Sequence, residues 1–184
     1  MNKQINKQFR KYTKTISTRT MAISLELATY MWKEINERKS VKILDLGNGF
    51  SSFVFRYYQK NNAPDNCRVI SVDTSKDWLV KSTKFLSDNK LSTDEIYTFD
   101  EFKILPKEKY DFILYDLGNM ITRGENLPYV LSLADVKSPV IVDDVHKLIY
   151  SEIVEVVADN FNKSLNYLKD ETLDDFGRYA SVIV

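Results

Sequence analysis

Residues 41–52 read VKILDLGNGFSS, and this stretch decides the fold of the chain. Its apolar run ends in an acid, two glycines and two serines, and the apolar and aromatic residues that follow at 53–58 can wind as a helix. The order of strand, tight loop and helix is typical of a loop that holds a nucleoside cofactor. We therefore expect the rest of the chain to be arranged around this loop.

The bulk composition indicates one soluble domain. The chain has 184 residues, enough for a core that buries about 70% of the unfolded surface. Its 26 basic and 26 acidic residues cancel, so no global field attracts nucleic acid or an anionic membrane. Cys67 is the only cysteine, which excludes an internal disulfide and favours a reducing, cytoplasmic location. No apolar stretch approaches the ~20 residues of a membrane span, and no secretion signal is evident, so we expect no membrane partner.

Residues 1–20 are predicted to form a basic N-terminal arm that precedes a single domain at 21–184. The arm contains no acid and six basic residues, which are Lys3, Lys7, Arg10, Lys11, Lys14 and Arg19. Because unpaired positive charges repel one another in a packed core, we expect a solvated arm or a loose helix. Its role is open among a solubilising terminus, a flap over the substrate and a contact for a phosphate-bearing partner. Nucleic acid is not favoured as a partner, and this arm is the one segment through which it would bind.

Strands and helices alternate along most of the chain. Apolar strands are predicted at 41–46, 68–73, 95–99, 110–116 and 139–144, and the helices between and around them at 21–38, 51–60, 74–87, 127–136 and 146–161. The last of these helices carries a periodic apolar stripe of Ile149, Ile153, Val156 and Val157. An acidic loop is expected at 100–101, and a glycine-containing loop at 117–125. The repeating units predict an α/β fold with a doubly wound, mostly parallel sheet, and the stretches at 164–168 and 179–184 predict a C-terminal antiparallel hairpin on its edge.

Carboxylates recur where the predicted strands end. They are Asp45, Asp73, Asp116, Asp143 and Asp144, with Asp100 as a further candidate. In a doubly wound sheet the ligand crevice lies beyond these carboxyl ends, so we expect the acids to line one crevice. Helix caps and turns remain the alternative role for any single acid in the row.

The position of the first acid discriminates among nucleoside cofactors. A carboxylate at Asp45, two residues before the first glycine, would repel a pyrophosphate but can pair with an ammonium group. Ser52 stands where a dinucleotide-binding loop has glycine or alanine, and the chain lacks the Gly-Lys-Ser/Thr of a phosphate-binding loop. A second carboxylate at Asp73 can accept hydrogen bonds from both hydroxyls of a ribose. S-adenosylmethionine meets both requirements.

With these motifs the chain resembles the class I S-adenosylmethionine-dependent methyltransferases, and in particular their small O-methyltransferase-like subgroup, over roughly residues 20–184. The acid-x-Gly-x-Gly pattern of that family is matched by residues 45–49, and Ser51 takes a slot where many members have a third glycine. The strand at 69–73 followed by Trp78, the strand at 110–116 followed by Gly118, and the strand at 140–144 with its paired acids are similar to three further family motifs. The resemblance implies a seven-stranded sheet of order 3-2-1-4-5-7-6 with helices on both faces.

The resemblance also implies roles for individual residues. Gly47 and Gly49 let the backbone approach the methionine part of the cofactor, Asp45 anchors its amino end, and Asp73 holds the ribose. Asp100 or Glu101 meets the adenine amino group, while Trp78 either lines the adenine ring or belongs to the ordinary core. The predicted cofactor-binding set is completed by Asn48, Ser51 and Asp116.

Departures from the family pattern bear on the chemistry. In the metal-dependent branch, an acid after the fourth strand and an Asp-Asn pair after the fifth bind magnesium, and a lysine acts as base. Here Asp116 and Asp143 match two ligands, Asp144 replaces the asparagine, and Asn119 replaces the lysine. Three carboxylates can hold a hard divalent ion, but they match the metal-free branch as well, so a divalent metal is not favoured. The predicted catalytic residues are Asp116, Asp144 and His146, which either accepts a proton or is an ordinary helix residue.

The predicted function is methyl transfer from S-adenosylmethionine to an oxygen or nitrogen of a small-molecule acceptor. A non-catalytic S-adenosylmethionine-binding module in an assembly is the alternative, and a nicotinamide-dependent reductase is disfavoured by Ser52 and by the lack of a Tyr-x-x-x-Lys pair. Acceptor recognition is expected from the basic arm, the 117–126 loop and the 169–178 turn. Arg123 is expected to bind an acidic substrate or, preferably, to pair with Glu125. The acceptor and the oligomeric state do not follow from the sequence.

Overall fold

A computed structural model describes residues 2–184 of the chain. The strands are β1 (Lys42–Leu46), β2 (Arg68–Asp73), β3 (Ile96–Thr98), β4 (Phe112–Tyr115), β5 (Val140–Val142), β6 (Leu165–Tyr167) and β7 (Ser181–Ile183). The helices are α1 (Lys3–Thr15), α2 (Leu25–Arg38), α3 (Phe50–Asn61), α4 (Lys76–Asp88), α5 (Phe99–Ile104), α6 (Met120–Leu133), α7 (Leu148–Asn160) and α8 (Lys169–Thr172). None of the helices in the described part of the chain is both long and apolar enough to cross a membrane.

The strands form one seven-stranded sheet in the order β3-β2-β1-β4-β5-β7-β6. Strands β1 to β5 run parallel to one another, whereas β7 runs antiparallel to both β5 and β6. Strand β1 lies between β2 and β4, and its Asp45 is level with Ser71 and Leu114. The strand order, the parallel centre and the C-terminal antiparallel hairpin confirm the sequence-based prediction.

Neighbouring residues of the central strands face opposite sides of the sheet, and each side is covered by helices. Ile43 belongs to a core layer that contains buried residues of α1, α2, α3 and α4, whereas Leu44 belongs to a layer with α5, α6 and α7. Both residues are fully buried, which explains why these strands read as continuous apolar runs rather than as alternating ones. The two layers make the sheet doubly wound, as predicted.

The N-terminal segment is a packed helix rather than a solvated arm. In α1 the side chains of Ile5, Phe9 and Tyr12 are 1%, 6% and 0% exposed and belong to the same core layer as α2 and α3. Their spacing places them on one stripe of the helix, while the basic residues occupy the other faces. The expectation of a solvated arm or loose helix is therefore wrong for residues 3–15, because it weighed the charges without the apolar period beneath them.

Helix α6 starts earlier than the sequence predicted. It begins directly after Asn119, whose side chain accepts a hydrogen bond from the backbone of the first turn at 3.0 Å. The predicted loop at 117–125 is therefore wrong in its second half, and Pro128 lies in the helix interior rather than in its first turn. Gly124 is also helical, and a Cβ added there would lie 3.3 Å from the Cγ2 atom of Ile153. Close packing of α6 on α7 explains this glycine, which locally resembles a loop residue.

Two smaller expectations are also wrong. The acidic stretch expected to be a loop is the start of α5, where Thr98 and Glu101 form a reciprocal capping box. The stripe predicted to be buried on α7 is not the inward face, because Ile149 is 78% and Val156 is 59% exposed. The residues of α7 that face the core are Tyr150, Val154 and Ala158.

The packing of α1 can be measured through its buried stripe. We expect Ile5→Ala to lower the free energy of unfolding by about 2–4 kcal/mol, because it removes a fully buried side chain and leaves a cavity. Arg10→Ala, on the exposed face of the same helix, should change stability by less than about 0.5 kcal/mol. Urea titration followed by circular dichroism measures both values, and equal small effects would contradict the packing of α1.

Candidate functional site

A cavity of about 640 Å³ opens at the carboxyl ends of β1, β2, β4 and β5. Its walls are the loops that follow these strands, together with residues 20–23 between α1 and α2. The structure brings most of the predicted site residues together here. They are Gly47, Asn48, Gly49, Asp73, Trp78, Asp116, Asp143, Asp144 and His146. The crevice expected beyond the strand ends is therefore present.

The two glycines of the β1 loop differ in what they make room for. Gly47 has a φ of +112°, and a Cβ on it would lie 2.5 Å from the carbonyl oxygen of Asp116, so only glycine fits. A Cβ on Gly49 would instead project into the cavity, 3.6 Å from the Tyr12 hydroxyl and 3.7 Å from the Trp78 indole nitrogen. Gly47 thus lets two strand ends approach each other, whereas Gly49 keeps space open for a ligand.

Asp45 lies beneath the loop rather than on the cavity surface. Its side chain is fully buried, and one carboxylate oxygen accepts a hydrogen bond from the Ser52 hydroxyl. The same hydroxyl lies 2.7 Å from the side-chain oxygen of Asn48, so Ser52 ties the acid to the loop. Burial raises the pKa of Asp45 to about 6, although hydrogen bonds from serine side chains and the charge of Arg56 act against this rise.

Three buried polar atoms near this loop have no hydrogen-bond partner in the protein. They are Asp45 Oδ1, Asn48 Nδ2 and the Tyr12 hydroxyl oxygen. Asn48 and Tyr12 line the cavity, and both are fully buried. Because an unsatisfied buried polar group costs about 1–3 kcal/mol, a concentration of them at one loop marks the place where a polar ligand would bind.

Asp73 ends β2 and faces the cavity. Its Oδ1 atom accepts a hydrogen bond of 2.8 Å from the backbone N–H of Ser75, which leaves acceptor capacity on the carboxylate. Burial raises its pKa above the usual value, and backbone hydrogen bonds from residues 75, 74 and 48 oppose that shift. The carboxylate is thus held in a fixed orientation at the rim of a cleft.

Arg123 lies between two acids of the cavity wall. Its guanidinium Nη2 atom is 2.5 Å from Asp116 Oδ1, and its Nη1 atom is 3.2 Å from Asp144 Oδ2. The side chain is only 7% exposed. The expected pairing of Arg123 with Glu125 is therefore wrong, because α6 begins before Arg123 and turns it inward while Glu125 stays exposed.

Asp144 is surrounded by two cations and one imidazole. Its backbone φ of 65° is in the left-handed region, which aspartate tolerates better than most residues. Burial disfavours its ionised form, but the Lys147 ammonium at 2.7 Å and the Arg123 guanidinium outweigh this, so the pKa of Asp144 is lowered. The His146 Nδ1 atom lies 3.7 Å from its Oδ1 atom. Asp144 is thus held as a carboxylate.

The other two acids of the wall have the opposite tendency. Burial raises the pKa of Asp143 to about 6, and the neighbouring Asp144 carboxylate adds to the rise. Burial also raises the pKa of Asp116 well above its usual value, although Arg123 opposes this. Within residues 2–184, no three His, Cys, Asp or Glu side chains come together in a geometry that could hold a metal ion. Asp116, Asp143 and Asp144 are thus not a group of this kind in the structure.

His146 lies at the cavity wall on the side of Asp144. Burial lowers its pKa below the ordinary histidine value, so it is neutral at physiological pH, and its Nδ1 atom has no hydrogen-bond partner. A neutral imidazole has the protonation state needed to accept a proton.

The 169–178 turn, from which we expect acceptor recognition, contributes Arg178 to the cavity lining, although the sequence did not reveal which contacts this residue makes. Arg178, in the turn before β7, donates hydrogen bonds to the carbonyl oxygens of Arg19, Thr20 and Ala22 at 2.8–3.0 Å. Its own charge is balanced by Asp174 at 2.7 Å. These contacts hold residues 19–22 over the cavity. Tyr12 was missed as well, although its spacing from Ile5 and Phe9 places it on the same buried stripe.

Three predicted cofactor-binding residues lie outside the cavity lining, and they are Asp45, which is described above, Ser51 and Asp100. The Ser51 hydroxyl is buried in the first turn of α3 and donates to the Gly47 carbonyl at 3.3 Å. Asp100 is on the surface of α5, where its 92% exposed side chain pairs with Lys103. Glu101, the alternative to Asp100, is occupied in the capping box with Thr98. Contact of these residues with a cofactor stays a prediction.

Comparison with known proteins identifies the fold. Neither a protein-family model nor a curated protein sequence matches the chain. Among solved structures, the O-methyltransferase from Bacillus cereus in complex with S-adenosylhomocysteine aligns with a TM-score of 0.77 and 13% identity, covering 100% of this chain and 90% of that chain. The O-methyltransferase TomG from Streptomyces achromogenes, in complex with S-adenosylmethionine, aligns with a TM-score of 0.71 and 14% identity, covering 100% and 89%. A methyltransferase from Podospora anserina bound to S-adenosylhomocysteine gives 0.72 and 11%, covering 99% and 88%. The chain therefore has the class I methyltransferase fold that its motifs resembled.

The buried Asp45 should make stability depend on pH in a defined window. Its pKa is about 6 when folded and near 3.8 when unfolded, so the folded chain holds this proton more tightly. The stability contributed by this group is greatest below pH 4 and is lost as the pH rises to about 6, by on the order of 2–3 kcal/mol. The asparagine of Asp45→Asn cannot ionise, so this variant should not lose stability in that way as the pH rises. The difference in unfolding free energy between variant and wild type should therefore grow between pH 4 and 7, and a constant difference would contradict the assignment.

Proposed function

We propose that the protein transfers a methyl group from S-adenosylmethionine to an oxygen or nitrogen of a small-molecule acceptor, and that it does so in the cytoplasm. The observation that carries this proposal is the cavity at the β1 loop. There, Gly49 keeps space open, and buried polar atoms of Asn48 and Tyr12 lack partners next to the carboxylate of Asp73. A nucleoside with an amino-acid end matches that set of donors and acceptors.

The residues present fit this cofactor. Asp73 accepts hydrogen bonds from the ribose hydroxyls, while the Tyr12 hydroxyl and the Asn48 amide donate to the carboxylate of the amino-acid end. Asp45, buried beneath the loop, supplies the negative charge that favours the ammonium group. Trp78 provides an indole face at the same wall. The cofactor, when bound, supplies a methyl group on a positively charged sulfur.

The acceptor side of the cavity is formed by residues 118–120, by residues 143, 144, 146 and 147, and by Arg178. Transfer forms a bond between the methyl carbon and the acceptor atom and breaks the sulfur–methyl bond, whose electron pair stays on sulfur. A hydroxyl acceptor must also lose its proton, and the neutral imidazole of His146 accepts it. Most of the rate gain comes from holding the reacting atoms in line, which can be worth about 7–11 kcal/mol.

Calorimetric titration with S-adenosylhomocysteine tests the cofactor site. Asp73→Ala should weaken binding by roughly 1.5–3 kcal/mol, because both ribose hydrogen bonds to a charged acceptor are lost. Asp65→Ala, which removes an exposed carboxylate in the loop before β2, is the matched control and should bind as the wild type does. Unchanged affinity in Asp73→Ala would overturn the assignment.

The Tyr12 hydroxyl provides a second test, because it has no partner in the unliganded protein. Tyr12→Phe should weaken S-adenosylhomocysteine binding by about 0.5–1.5 kcal/mol and leave stability unchanged or slightly higher. The control is Tyr58→Phe on α3, which deletes a buried hydroxyl that donates to the Ser40 carbonyl at 3.1 Å. That variant should lose stability and keep its affinity. If both variants behaved alike, Tyr12 would not contact the cofactor.

Binding alone does not distinguish an enzyme from a non-catalytic module. Incubation of the protein with methyl-labelled S-adenosylmethionine and a cell extract should yield a labelled small molecule that disappears when His146 and Asp73 are both replaced by alanine. Tight S-adenosylhomocysteine binding with no labelled product in any extract would instead favour the binding module.

A further inference from the structure

The acids at the ends of β4 and β5 already hold a cation. Arg123 spans them, with one guanidinium nitrogen 2.5 Å from Asp116 and another 3.2 Å from Asp144. The Nη2 atom is also 3.3 Å from the carbonyl oxygen of Gly118. The guanidinium is therefore held by three oxygen atoms at the ends of both strands. In this position its charge would repel any further positive ion.

We propose that Arg123 is a built-in cation that takes the place of a divalent metal, so that the site works without one. The statement that the site works without a metal rests on the proposed methyl transfer. The pairing of Arg123 with the two acids does not, because it is present in the free protein. The inference concerns Arg123 as a positioning residue, which acts by holding Asp116 and Asp144.

Arg123 is fixed from both ends, which makes a simple swing out of the site costly. Its side chain is 7% exposed, and its backbone carbonyl accepts a hydrogen bond of 2.8 Å from the Tyr115 hydroxyl, at the end of β4. Helix α6 begins at Met120, so Arg123 lies in its first turns and faces the strand ends. A metal ion would have to displace a guanidinium that pairs with two largely buried carboxylates, and leaving such a charge unpaired is strongly unfavourable.

The charges of the site are consistent with this replacement. Asp144 stands where the metal-dependent family pattern has an uncharged asparagine, which adds a negative charge to the wall. Arg123 and Lys147 both pair with that added carboxylate. The extra acid and the buried arginine therefore compensate each other, and together they close the cluster to a third, external cation.

Mn²⁺ binding to the full chain tests the inference, with calorimetry as the readout. Wild-type protein should show no saturable Mn²⁺ binding in the low millimolar range. Arg123→Ala leaves Asp116 unpaired and removes one of the two cations that pair with Asp144, and we expect its Mn²⁺ affinity to be at least roughly tenfold higher than that of the wild type. Lys147→Ala is the matched control. It removes another cation from Asp144 but leaves Asp116 paired, and it should gain no binding.

Saturable Mn²⁺ binding by the wild type that Asp116→Asn abolishes would overturn the inference. So would a folded Arg123→Ala protein without any gain in Mn²⁺ affinity. If Arg123→Ala does not fold, Arg123→Met replaces it, because its side chain fills a similar volume without the charge. Titration of the same samples with S-adenosylhomocysteine separates the two proposals. If the wild type does not bind S-adenosylhomocysteine, the methyltransferase function is refuted whatever the Mn²⁺ result.

Discussion

The backbone contact between Gly47 and Asp116 is the constraint on which the site depends. It brings the end of β1 against the end of β4 so closely that a single Cβ atom on Gly47 would overlap the Asp116 carbonyl. The contact aims the following loop back across the sheet, where the Gly47 N–H donates to the Val72 carbonyl at 2.8 Å. The loop, the acid ending β2 and the acid ending β4 consequently share one small cleft. A side chain at Gly47 would push the ends of β1 and β4 apart even if the rest of the fold were unchanged.

The cleft contains two kinds of polar group, which differ in whether they have a partner within the protein. Asp116 and Asp144 are compensated within the protein by Arg123, so their burial does not require a ligand. Asn48 and Tyr12 are not compensated, and each keeps an unsatisfied polar atom at the cavity. The acids near β5 thus have a cationic partner, although His146 Nδ1 and Arg123 Nε there also lack hydrogen-bond partners, as do the polar atoms near the β1 loop. The two halves of the cleft therefore differ in charge pairing, which is consistent with the separate roles proposed for them.

The sheet could be predicted from the sequence because its signals are local. Each central strand is an apolar run, each run ends in an acid, and the strand order came from resemblance at the motifs around Asp45, Asp73 and Asp116. What failed depended on long-range packing. Nothing near Gly124 and Pro128 in the sequence reveals that α7 packs against α6 and holds that stretch helical, and so Arg123 was placed in a loop. In the N-terminal segment, likewise, the many charges do not indicate that one apolar stripe is buried. That burial depends on the core surface against which the helix packs.

The N-terminal helix combines a buried apolar stripe with a polar atom at the cavity. Its stripe is apolar at Ile5 and Phe9 but ends in Tyr12, whose hydroxyl has no partner in the core and is next to Gly49. A phenylalanine at that position would fill the core equally well, so packing alone does not account for a tyrosine there. Desolvating the hydroxyl without a partner is unfavourable, and the cofactor proposed above would supply that partner. Helix α1 therefore contributes Tyr12 to the cavity lining, and the core layer that anchors the helix also fixes the position of that hydroxyl.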